Sequence, residues 1–185
     1  MSRAYYYLVA SLPSLNWGTR PPMAYDDFLL DCHEQLSRSD FEIMSQITLD
    51  LDDKPKKGNP ILKSWGSLNR NLKNEIAKFR ARRVGKNPAD YIRGEEINED
   101  VFSHVIEEAS KAQDPLTAEK ILDRFRWQHL DEISWNQYFN LEFLIVYALK
   151  LKILERYKQI EISPKRKEIY QGYKALIENE DAVKI

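Results

Sequence analysis

Apolar positions recur along most of this chain at steps of three and four, the spacing that lines up one face of an α-helix. Residues 61–83 are the clearest case: Trp65, Leu68, Leu72, Ile76 and Phe79 form a single stripe with polar residues between them. Gly85 is placed to end that helix. Residues 25–36 repeat the pattern with Phe28, Leu29, Cys32 and Leu36, and acids open the first turn. A helix expected over 38–50 carries Phe41, Met44, Ile47 and Leu51, with Ser37 and Asp40 spaced as a capping pair. Asn98 is a cap for a helix bearing Val101, Phe102, Val105, Ile106 and Ala109. Asp114 followed by Pro115 is a strong helix start, and Ala118, Ile121, Leu122, Phe125 and His129 follow on or near one face. Residues 137–160 are apolar all round in the middle, as in a helix buried on several sides. Ser163-Pro164 opens a last helix striped by Ile169, Tyr173, Leu176 and Ile177.

The opening "AYYYLVASLPSL" is ambiguous on its own. Tyr5, Leu8, Val9 and Leu12 share a helical face, whereas Tyr5, Tyr7 and Val9 share a strand face. Beside so many helices the expectation is a short first helix against the core, turned out at Pro13. Residues 16–23 read as a loop and 87–96 as an irregular or one-turn element. No run of alternating strands bounded by hairpin turns is present. The pattern predicts an all-α fold, an irregular array of about seven helices. It is read as a single helical domain over 1–185, with a lobe boundary suggested at the polar, Pro- and Gly-bearing hinge of 50–60.

Composition narrows the picture. The chain has 185 residues, enough to bury a core without metals or disulfides. Cys32 is its one cysteine, which points to a reducing compartment and a small, half-buried side chain. The opening segment makes a poor secretion signal, with a single arginine, many tyrosines and no small-residue cleavage pattern. The apolar run of 143–149 is bracketed by Glu142 and Lys150 and is too short to span a bilayer. A cytoplasmic protein is expected.

Catalytic chemistry finds no foothold. The six glycines never approach a phosphate-cradling pattern. His33, His104 and His129 do not sit at metal-ligand spacing, and no nucleophile elbow occurs. Adjacent acids such as Asp26/Asp27, Asp52/Asp53 and Glu95/Glu96 fit solvated caps. The expectation is no catalytic residue, no metal and no cofactor.

Charge is more telling. The formal net charge is −1, but residues 54–93 carry 12 basic and 2 acidic residues, while 94–123 carry 9 acids and 2 lysines. With the stripe of 61–83 turned inward, Arg70, Lys73, Lys78, Arg80 and Arg82 are expected outside, and Arg83 follows them. These residues, with Arg126 and Trp127 from the helix opened by Asp114, form the expected interaction surface. Asp123 and Arg126 are three apart and are expected to pair on the helix surface. The basic stretch is open to three readings: a solvated face, a surface for a protein or acidic lipid, or a nucleic-acid contact through Lys73, Arg80, Arg82 and Arg83. Interleaved exposed aromatics and any known nucleic-acid motif are missing, so nucleic acid is the weaker partner.

Four stretches together carry a resemblance: "YYYLVASLPSL", "PPMAYDDFLLDCHEQLSRSD", "AEKILDRFRWQHLDEI" and "FNLEFLIVYALKLKILERY". In this order they resemble a bacterial family encoded among the subunits of V-type (V/A-type) ATP synthases. The resemblance covers the first fifty residues and roughly 115–160; residues 54–100 carry none. It implies a non-catalytic subunit or accessory protein of the rotary enzyme, linking the rotor shaft to the membrane ring. Its partners would be the other subunits, and it would lie peripherally on the inner membrane, touching the membrane only through the complex. The natural counterpart is the all-helical central-stalk component that couples shaft to ring. That component is longer and built from three similar lobes, whereas this chain shows no internal repeat. A reduced counterpart and an assembly factor therefore both stay open. The family supplies no functional residues to carry over.

Overall fold

Local capping chemistry sets most helix boundaries in the computed structural model, which describes residues 4–50, 58–94 and 100–162, with side chains described to residue 157. Seven α-helices and one 3-10 turn occur among the described residues, and no strand. They are α1 (Tyr6–Ser11), α2 (Tyr25–Gln35), α3 (Arg38–Met44), α4 (Pro60–Arg83), the 3-10 turn (Pro88–Tyr91), α5 (Asp100–Ser110), α6 (Pro115–Ile133) and α7 (Leu141–Ile162). The all-α expectation is met. The last helix expected after Ser163, the cap expected at Asn98 and the stripe position Leu51 lie outside the described residues.

The capping signals act as their chemistry requires. Asp114 accepts the Thr117 N–H at 2.7 Å, and Pro115 occupies the first helical position of α6. Ser37 accepts the Asp40 N–H at 3.3 Å and opens α3. Asn59 accepts the N–H groups of Ile61 and Leu62, with Pro60 first in α4. At the far end of α4, Gly85 takes the left-handed conformation with φ 67°. Its N–H bonds the Arg82 carbonyl and that of Lys86 bonds the Ala81 carbonyl at 2.9 Å, the paired closure of a Schellman motif.

Two boundaries differ from expectation. The helix expected over 38–50 stops at Met44. Its last turn tightens, with Gln46 bonding Ile43 and Ile47 bonding Met44, across Ser45-Gln46-Ile47-Thr48, where polar and β-branched residues favour helix weakly. Ile47 is still buried, through tertiary packing and not helix periodicity. The helix expected from 137 begins at Leu141, because Asn140 caps it by accepting the Phe143 N–H at 3.1 Å. Residues 134–140 instead form a turn, with Asn136 in the left-handed region.

Two long helices, α4 and α7, organise the packing. Leu144, Ile145, Ala148, Leu149, Leu151, Ile153 and Leu154 of α7 are almost wholly buried, so α7 is enclosed by α2, α3, α4 and α6. α4 lies against α5, α6, α7 and the 3-10 turn. Trp65 of α4 and Phe28 of α2 are fully buried in the same core, which joins residues on both sides of the 50–60 hinge. Cys32 is fully buried rather than half-buried, because it faces inward from α2.

A charged cluster is set into this apolar frame. Asp123 of α6 is 1% exposed. Its carboxylate accepts from Arg126 Nη1 at 2.8 Å, from Arg156 Nη2, and from the Tyr157 hydroxyl at 2.6 Å. Arg126 Nε donates to Asn69 Oδ1 at 3.0 Å, and Asn69 Nδ2 donates to the Leu49 carbonyl at 3.2 Å. The pair expected on the surface of α6 is therefore buried. The physical reason is that α7 covers this side of α6 and brings Arg156 and Tyr157 onto the same carboxylate.

Two outcomes are expected from this packing. Asp123→Ala leaves Arg126 and Arg156 without their shared anion, and should lower the unfolding free energy by about 3 kcal/mol in urea titrations. Unchanged stability would show that the cluster carries no weight. Burial also pushes the Cys32 thiol and the Tyr147 and Tyr157 hydroxyls up to about 12 each. The folded state thus holds these protons more tightly than the unfolded chain. Their contribution is complete below the unfolded values and is lost as pH rises from about 9 toward about 12. The melting temperature should fall steadily between about pH 9 and about pH 11, and a flat profile would contradict the burial of these groups.

Candidate functional site

α4 presents a basic groove to solvent where the chain after the 3-10 turn returns beside it. Asn74 holds that return: its Nδ2 donates to the Arg93 carbonyl at 2.9 Å, and its Oδ1 accepts the Arg93 N–H at 3.0 Å. This two-way clamp is why Asn74 is buried on a helix face that also carries cations. The groove encloses about 590 Å³, and Arg70, Lys73, Arg80, Tyr91 and Arg93 line it. Arg70 Nη2 donates to Ser67 Oγ at 3.3 Å. Lys73 lies 3.8 Å from Asp50, an exposed pair of small energetic weight. Gly94, at φ 73°, passes so close that a Cβ there would meet Arg70 Cδ at 3.4 Å.

Of the residues expected to form the interaction surface, Arg70, Lys73 and Arg80 come together in this groove. Arg82 and Arg83 are exposed at the end of α4, with Arg82 4.0 Å from Glu75. The other three are drawn inward, Lys78 and Trp127 fully and Arg126 in large part. Lys78 is 6% exposed and pairs with Glu75 at 3.2 Å. Glu75 also accepts from Ser103 of α5 at 3.1 Å, so α5 covers the edge of α4 on which both charges sit. Arg126 is held by Asp123 and Asn69. Trp127 is buried edge-on to Trp17, at 5.6 Å between ring centroids, with Lys150 over its ring at 4.9 Å. A cation on an edge of an amphipathic helix is drawn inside when a neighbouring element covers that edge and a carboxylate is there to pair with it.

A second surface involves the opening tyrosines, of which Tyr6 and Tyr7 stay exposed and open to a partner while Tyr5 does not. The Tyr5 N–H donates to the Phe139 carbonyl, joining the start of α1 to the α6–α7 turn. The Tyr6 and Phe139 rings meet at 4.8 Å. Around this seam five aromatic side chains stay exposed: Tyr6, Tyr7, Trp135, Tyr138 and Phe139, with Tyr7 91% and Trp135 83% exposed. Tyr5 itself is buried, and its hydroxyl donates to Asp40 of α3. The clue in the sequence is the triple tyrosine together with Trp135, Tyr138 and Phe139 in an otherwise polar turn. Their proximity depends on a contact between segments about 130 residues apart.

Two of the histidines make packing contacts, one of them between α4 and α6. His129 Nε2 shares a hydrogen bond of 2.9 Å with Ser64 Oγ, and His33 lies edge-on to Phe41 at 4.9 Å. Among the described residues no group of three or more His, Cys, Asp or Glu side chains could hold a metal ion. Among the same residues no helix is long and apolar enough to cross a membrane.

No curated protein and no solved structure matches the chain. Residues 48–179 match a family whose description is "Protein of unknown function (DUF2764)". The match takes in α4 to α7, and with them the basic groove, the Asp123 cluster and the α6–α7 turn, and it leaves out α1 to α3. This chain belongs to the DUF2764 family.

Proposed function

We propose that this protein is a non-catalytic component of a V-type ATP synthase, peripheral to the membrane and bound to other subunits near the central stalk and membrane ring. The observation that carries the reading is the exposed aromatic surface at the α1 seam. Aromatic side chains, Trp and Tyr above all, are the residues that dominate protein interfaces. Five of them held in solvent on a tethered seam call for a protein partner more than for a small substrate. The identity of that partner rests on the resemblance of the N-terminal, α6 and α7 stretches to the ATP synthase-associated family. An all-helical body joining other subunits is compatible with that role, and the role asks for no cofactor.

The basic groove favours a second reading, a helical regulator that binds nucleic acid. Four cations and Tyr91 line it. It has the charge for a phosphate backbone but only one aromatic ring for stacking, which ranks it below the first reading.

Tagged full-length protein, purified from detergent-solubilised native membranes, should bring the catalytic subunits of the ATP synthase with it. The double variant Tyr7→Ala/Trp135→Ala should recover at least about tenfold less of them, since each interface anchor is worth on the order of 1–2 kcal/mol or more. Its circular dichroism should match wild type, because both side chains project into solvent. Recovery of the chain alone while the complex stays intact would overturn the reading. Binding to single subunits without incorporation would turn it into an assembly factor.

A further inference from the structure

A cleft of about 480 Å³ opens between the 16–21 loop, α5, α6 and α7. It shares no lining residue with the basic groove and none with the aromatic seam. Trp17, Phe125, Leu154 and Tyr157 form its walls. Trp17 packs edge-on against Trp127 at 5.6 Å and against Tyr157 at 5.8 Å, so the loop's aromatic ring is seated on the core. The Tyr157 hydroxyl is committed to Asp123, which leaves that side of the cleft presenting apolar surface.

Its mouth is cationic. Arg20, Lys120 and Arg124 line it, against one acid, Glu108. None of the three cations makes an ion pair among the described residues, whereas Arg156 and Arg126 nearby are both paired with Asp123. Three cations that pair with no described residue, around a hollow walled in part by aromatic rings, favour an occupant with an apolar anchor and anionic flanks.

We propose that this cleft docks an acidic peptide segment of a partner protein, anchored by one leucine or aromatic side chain. A peptide fits better than a small molecule. Small-molecule pockets orient their ligands with a few fixed polar groups inside. Here Arg20, Lys120, Arg124 and Gln128 are exposed side chains, and the Tyr157, Thr19 and Thr117 hydroxyls are already bonded to Asp123, the Asn16 carbonyl and Asp114. An apolar anchor with charged flanks is the manner in which helical proteins take up partner segments. The proposal does not depend on the partner being an ATP synthase subunit.

Selection of a displayed library of peptides, each about 12 residues long, on the immobilised full chain tests it. Enriched sequences should carry two or more acids beside a leucine or aromatic residue. A labelled peptide from that set should bind with a micromolar Kd that weakens as salt rises. Lys120→Glu/Arg124→Glu should weaken binding about tenfold or more. Both side chains are exposed, so an unchanged melting curve will separate lost docking from lost folding. Trp17→Ala should weaken the same peptide, and Tyr7→Ala/Trp135→Ala should not. Failure to enrich any peptide, enrichment of sequences without acids, or equal binding to the charge-reversed variant would each overturn the proposal. Tight binding of dodecanoate with no peptide enriched would also overturn it, in favour of a small amphiphile.

Discussion

A single carboxylate holds the centre of this fold. Asp123 meets two guanidinium groups and a phenol where α6 crosses α7. Burying a charge is costly unless its partners satisfy it. Here the anion has three donors, and Glu119, 3.5 Å from Arg156, adds a second negative charge that balances the second arginine. Burial lowers the pKa of Arg126, but a guanidinium keeps its proton under any ordinary condition, so the cluster stays ionic. Through Arg126, Asn69 and the Leu49 carbonyl, the same network reaches α4 and the turn after α3. Four parts of the chain thereby share one directional set of bonds, where hydrophobic packing alone would allow sliding.

That arrangement divides the basic residues into two groups. Lys78, Arg126 and Arg156 are spent on internal carboxylates, and Arg70, Lys73, Arg80 and Arg93 are turned outward in one groove. Among the described basic residues of 54–93 only Lys78 is buried, and Arg82 and Arg83 stand exposed beyond the groove at the end of α4. The aromatic residues divide in the same manner. Trp65 and Trp127 belong to the interior, Trp17 sits at the edge of a cleft, and Trp135 stands in solvent. Each surface feature is thus built from what the core did not use.

Helix positions were legible because they depend on neighbours in the chain. Asp114-Pro115, Ser37 with Asp40, and Gly85 each act through groups within a few residues, and each acts as its spacing implies. The apolar stripe of α4 was likewise local in origin. What stayed hidden depends on which element covers which. Lys78 looks solvated until α5 is laid over the Glu75 edge of α4, and Asp123 looks like half of a surface pair until α7 arrives. The end of α3 was misjudged for a related reason: Ile47 is buried by its neighbours in space and not by helical period. The aromatic seam needed the contact between Tyr5 and Phe139, for which no spacing rule exists.

Tyr5 is held at both ends, by its backbone to the α6–α7 turn and by its hydroxyl to α3. Tyr6 and Tyr7 follow it immediately, so they have no freedom to fold back onto the core. An isolated copy therefore displays these rings to solvent for as long as nothing covers them. Under the proposed role, an excess of this chain over its partner would leave those rings uncovered, so matched synthesis of the two would follow from one tyrosine's anchorage.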